Sequence, residues 1–86
     1  MRHARDEDLD RLDDLLAELR TLPQLKEKKR GVFYLKSRSF LHFHEDPKGL
    51  FADIGGCPGG GDFERVEVTD AAGRARLMAM ARQRLA

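Results

Sequence analysis

The chain carries one cysteine, Cys57, in its 86 residues, so no internal disulfide can form. That fits a reducing cytoplasm. No apolar run approaches the roughly 18 residues of a membrane-spanning helix. The opening stretch, MRHARDEDLD, lacks the apolar segment of a signal peptide. Together these absences point to a cytoplasmic protein with no membrane partner. Net charge is only +1, which leaves no global pull toward nucleic acid. There is no internal repeat.

Catalytic signatures are missing as well. No G-x-S-x-G occurs. GGCPGGGD has Gly61 and Asp62 where a phosphate loop needs Lys and Ser/Thr, and it precedes a strand pattern rather than a helix N-terminus. A glycine loop alone cannot fix Cys57 as a nucleophile. Glu45 and Asp46 adjoin, and neighbours on a strand face opposite ways, so they make no acid–base pair. The expectation is a non-enzymatic protein.

What is present suits one small α+β domain. Hydrophobic residues make up 41% and charged residues 36%, a globular balance rather than a disordered one. Residues 1–5 are expected to fray. Over 6–22, Leu9, Leu12, Leu15, Leu16, Leu19 and Leu22 recur at three- and four-residue steps and predict an amphipathic helix. Asp6, Glu7 and Asp8 suit its first turn, and Pro23 closes it. Residues 23–31, PQLKEKKRG, read as a basic linker. GVFYLK and SFLHFHE then predict a hairpin around Ser37–Arg38. Asp46-Pro47-Lys48-Gly49 is a turn, GLFADI a third strand, residues 55–61 a flexible glycine-rich loop and FERVEVT a fourth strand. Thr69 is the expected N-cap of a closing helix, which Gly73 weakens by about 1 kcal/mol. The predicted order is α-β-β-β-β-α, a four-stranded, mainly antiparallel meander with an N-terminal and a C-terminal helix.

The stretch FLHFHEDPKG holds the one chelating pattern, His42-x-His44, whose side chains share a strand face. Neutral imidazoles two apart can hold zinc or a similar divalent metal. For a third ligand, Glu45 points to the other face, Cys57 lies in the flexible loop, His3 lies in the terminus expected to fray, and Asp53 depends on register. A bulge at Gly49 pairs Glu45 with Phe51 and sets the histidines among Leu50, Ala52 and Ile54. Without it Glu45 pairs with Leu50, and Asp53 joins the histidines. The turn chemistry favours the bulge, so the histidines are expected to be core-facing, with Phe33 opposite His42 and Leu35 opposite Phe40. The other face then collects Val32, Tyr34, Leu41, Phe43 and Phe51. Both faces come out apolar, and an uncovered aromatic face is a protein-partner or homodimer surface.

Charge is uneven along the chain. Residues 1–22 carry 4 basic and 7 acidic groups, and residues 23–48 carry 7 basic and 3 acidic groups. Lys26, Lys28, Lys29 and Arg30 could meet phosphates while Tyr34, Phe43 and Phe51 stack on bases. A solvated charge run is the commoner meaning.

The span from KKRGVFYLKSRSFLHFHEDPKGLFADI through the helix after FERVEVTD resembles small uncharacterised bacterial proteins over roughly two thirds of the 86 residues. The order of helix, meander and closing helix is similar to that of MmcQ/YjbR-like domains, small α+β domains for which DNA binding has been suggested. The resemblance implies an α+β fold and carries no site residues. A protein-interaction or self-association module is the first functional expectation. Nucleic-acid binding is second, and metal binding at His42 and His44 third.

Overall fold

The computed structural model describes residues 2–55 and 63–86. Of the expected glycine-rich loop, residues 56–61, and with them Cys57, lie outside the described residues. The chain runs β1 (Arg2–His3), α1 (Asp6–Asp10), α2 (Asp13–Arg20), β2 (Leu25–Lys29), β3 (Val32–Leu35), β4 (Arg38–Asp46), β5 (Gly49–Ile54), β6 (Glu64–Glu67) and α3 (Ala71–Leu85). The class is α+β with an antiparallel sheet, but among the described residues the sheet has six strands, not four. Five form the meander β2-β3-β4-β5-β6, and β1 pairs with β4. No described helix is long and apolar enough to cross a membrane.

Both extra strands come from segments read as irregular. The basic linker contains β2, whose Leu25 and Glu27 are half-buried while Lys26 and Lys28 are exposed. It is an edge strand, and outward lysines keep such an edge from pairing with other chains. Charge density hid its period-two pattern. Within the segment expected to fray, Arg2 and His3 form β1, with Arg2 opposite Glu45 and His3 opposite His44. Strand β4 is nine residues long, so it pairs with β3 along its first half and with β1 along its second.

The first helix is two helices. Leu12 sits at the break with φ −106° and ψ 16°. No glycine or proline marks the site, and the leucine stripe runs through it: Leu9, Leu12, Leu15, Leu16 and Leu19 are all buried. Asp8 accepts a hydrogen bond from the Arg5 N–H at 2.9 Å, the reciprocal half of a capping box. At the other end of the chain Asp70, not Thr69, caps α3, accepting from the Gly73 N–H at 2.9 Å. The Thr69 hydroxyl instead accepts from the Leu50 N–H and donates to Glu67. Gly73 is no simple weakness, because a side chain there would collide with the Glu67 carbonyl of β6.

Register decides the two faces. Glu45 pairs with Leu50, His44 with Phe51 and His42 with Asp53, with no bulge. Gly49 has φ +148°, an extended positive-φ conformation rather than the compact left-handed one that a bulge needs. A side chain at this glycine would run into the Thr69 hydroxyl. The expected register is therefore corrected, and the physical reason is burial. In the observed register Leu41 and Phe43 share a face with Leu50, Ala52 and Ile54, and all five are buried. A one-residue slip would split this set and turn Asp53 inward.

The first hairpin is corrected too. Phe33 pairs with Leu41, Tyr34 with Ser39 and Leu35 with Arg38, leaving Phe40 as the extra residue of a bulge. Both Phe40 and Leu41 are consequently buried. The turn falls on Lys36 and Ser37, with Lys36 at φ 59°. The leucines of α1 and α2, and Leu77, Met78 and Ala81 of α3, join the apolar sheet face in one core. The described helices thus cover one face only, and the histidines lie on the other.

Candidate metal centre

The site is built from cross-strand neighbours. In an antiparallel pair, residues directly opposite share a face, with Cβ atoms about 5 Å apart. His42 lies opposite Asp53, His44 opposite Phe51 and His3 opposite His44, while Asp53 lies opposite Arg65. Two neighbouring strands, β4 and β5, therefore bring His42, His44 and Asp53 together, with His3 of β1 and Arg65 of β6 on the flanks.

Distances follow from that register. Asp53 Oδ2 is 3.1 Å from His44 Nε2 and 3.6 Å from His42 Nε2. One ligand atom from each of the three residues falls within a 4.8 Å span. The His42 and His44 ring centroids are 4.9 Å apart, nearly edge to face. The His3 ring stacks on His44 at 4.8 Å and lies 6.1 Å from His42. Phe63 meets His42 edge to face at 5.0 Å.

The carboxylate is 8% exposed, so it needs compensation. Arg65 supplies it as a fork, donating from Nε to Oδ1 at 2.9 Å and from Nη2 to Oδ2 at 3.1 Å. Burial pushes the Asp53 carboxyl up, but the Arg65 hydrogen bonds and charge, with the two histidines, hold it below its ordinary value. Burial pushes His42 down, and the neighbouring His44 adds to this against the pull of Asp53. A neutral His42 is the ligating form.

One atom breaks the pattern. His44 Nε2 is buried and has no hydrogen-bond partner. It approaches Asp53 Oδ2 at 3.1 Å, yet the alignment is wrong for a hydrogen bond. A buried polar atom left so costs about 1–3 kcal/mol.

The other sequence candidates are dispersed. Phe43 is 3% exposed and belongs to the core, whereas Phe51 shares the histidine face and Tyr34 alternates with buried Phe33. Tyr34, Phe43 and Phe51 therefore form no single aromatic surface. Arg30 is held by Asp6 at 3.1 Å and Asp10 at 2.7 Å, tying β2 to α1. Lys26, Lys28 and Lys29 line the edge strand, and Lys28 Nζ lies 4.5 Å over the Tyr34 ring. Sequence reasoning sets His3 aside as part of a fraying terminus and Asp53 aside with the rejected register, and Arg65 carries no signal of its own. Asp53 was findable: on a strand whose alternate residues Leu50, Ala52 and Ile54 are apolar, it belongs to the polar face.

Comparison with family models, curated proteins and solved structures finds no match, so a functional reading rests on this geometry.

Proposed function

We propose that the protein is a small divalent-metal-binding module whose ion is held by His42 Nε2, His44 Nε2 and the Asp53 carboxylate. The observation that carries the reading is the buried His44 Nε2, which lies 3.1 Å from Asp53 Oδ2 yet makes no hydrogen bond. An ion between them supplies the missing partner. Two ligands bound at 2.0–2.1 Å lie about 2.9–3.4 Å apart for octahedral to tetrahedral angles. The 3.1 and 3.6 Å separations bracket the upper part of that range, while the three ligand atoms span up to 4.8 Å, so the histidine rings must turn inward to close the set. Two imidazoles and one carboxylate suit zinc or ferrous iron. Arg65 then serves as the hydrogen-bonded support that fixes the ligating carboxylate.

The test is an NMR titration of metal-free, untagged protein with zinc. The His42 and His44 rings are expected to shift together and saturate near one equivalent. His42→Ala combined with His44→Ala is expected to abolish the response. Saturable binding that survives the double substitution, or no binding by the wild type, would refute this site.

A further inference from the structure

Resting on the metal site just proposed, we infer that His3 is its fourth ligand, and that metal binding clamps the N-terminal strand onto the sheet. Strand β1 is two residues long. A two-residue strand has little stability of its own. Besides its short ladder to β4 and the packing of half-buried Ala4 on the core, its ties among the described residues include the Arg2–Glu45 ion pair at 2.6 Å, with Arg2 half exposed, and the Ala4 N–H donating to the Phe43 carbonyl at 3.1 Å. An ion pair of that exposure contributes little.

The register nevertheless sets His3 directly opposite His44 and on the same face. Its ring is exposed, so burial of apolar area does not hold it there. It stacks against the imidazole whose Nε2 lacks a partner. Rotation of His3 about its side-chain bonds turns the ring from face-on to edge-on and brings a nitrogen toward the ion. Three protein ligands leave an open position for water or substrate, whereas four close a tetrahedral site. With His3 the donor set becomes three imidazoles and one carboxylate. Such a site is structural and couples metal to the order of residues 2–4.

Full-length wild type, His3→Ala and Arg2→Ala are compared by zinc affinity, using a competing chromophoric chelator. Exchange of the Ala4 amide is followed in parallel by NMR, with and without zinc. Zinc is expected to slow Ala4 exchange in the wild type about tenfold or more. His3→Ala is expected to bind zinc about tenfold or more weakly and to show no zinc-dependent protection at Ala4. Arg2→Ala, which loosens the strand but keeps the ligand, is expected to regain protection when zinc is added. Unchanged affinity in His3→Ala, or wild-type Ala4 exchange indifferent to bound zinc, overturns the fourth ligand and leaves the three-residue site standing. A wild type that binds no zinc overturns both.

Discussion

Two carboxylates of the sheet, Glu27 and Asp53, are each gripped by an arginine, and they end differently. Glu27 accepts from Arg20 Nε at 2.6 Å, from Arg20 Nη2 at 3.1 Å and from the Gly31 N–H at 2.9 Å. Every group around it is matched, and the network ties α2 to β2 and to the turn that follows. Asp53 has an equivalent fork from Arg65, but two histidine nitrogens also converge on it, and one is left orphaned. A completed network is sufficiently explained by stability. An incomplete one at a more deeply buried carboxylate is a local conflict, and such conflicts mark functional sites.

The sharpest way to break the comparison is to ask which network responds to metal. At zinc one hundredfold above its dissociation constant, a site present only in the folded state adds about 2.7 kcal/mol to unfolding. Urea denaturation with and without zinc is expected to show this gain in the wild type. The gain should vanish in the His42→Ala, His44→Ala double variant. It should persist undiminished in Glu27→Gln, whose baseline is lower. Loss of the zinc effect in Glu27→Gln would mean that the two networks are not separate.

The baseline cost of Glu27→Gln comes next in size. Arg20 is well exposed, so solvent screening weakens its ion pair. The Gly31 N–H also loses its charged acceptor. The sum is about 1–2 kcal/mol. The loss carries a pH signature. The Arg20 hydrogen bonds hold the Glu27 carboxyl below its ordinary value of 4.5, burial opposes this, and the Gly31 N–H reinforces it. A depressed carboxyl stabilises the fold fully above that ordinary value, and the contribution is lost as pH falls through the lower folded value. The wild-type and Glu27→Gln stability curves should therefore run apart near neutrality and converge in acid. Parallel curves down to the acid limit would show that the Glu27 network contributes nothing.

Legibility in the sequence tracks how strongly each region's pattern was tied to burial. The leucines from Leu9 to Leu19, the strand Gly49–Ile54 and the closing helix were readable, because apolar spacing states the period and the period states the element. Strand β2 was not, since an edge strand is guarded by the same lysines that make a linker look solvated. The break at Leu12 left no mark, because the leucine stripe is continuous across it. The site was half readable. His42 and His44 announce a shared face at any register, but Asp53 joins them in only one of two registers, and the turn DPKG favoured the other. What settled the matter was the need to gather Leu41, Phe43, Leu50, Ala52 and Ile54 on one side. That need is non-local, and turn chemistry does not express it. His3 became a neighbour only because β1 pairs beyond the end of β3.

The smallest expected effect is the most discriminating, because its sign differs between the two networks. His44→Leu removes the orphaned Nε2 and puts apolar volume in its place. Replacing an unsatisfied buried polar atom in this way relieves its desolvation cost. Part of that gain is lost because the leucine meets Asp53 and the stacked His3 ring rather than an apolar wall. Metal-free His44→Leu is therefore expected to be as stable as the wild type, or more stable by up to about 1 kcal/mol. Glu27→Leu runs the other way, since it strands Arg20 and the Gly31 N–H together. Saturating zinc should reverse the first ranking and lift the wild type above His44→Leu, with no effect on the second. If metal-free His44→Leu instead loses as much stability as a core truncation, His44 Nε2 is satisfied in solution. The contrast between a finished and an unfinished network then disappears, and the case for a metal loses its central observation.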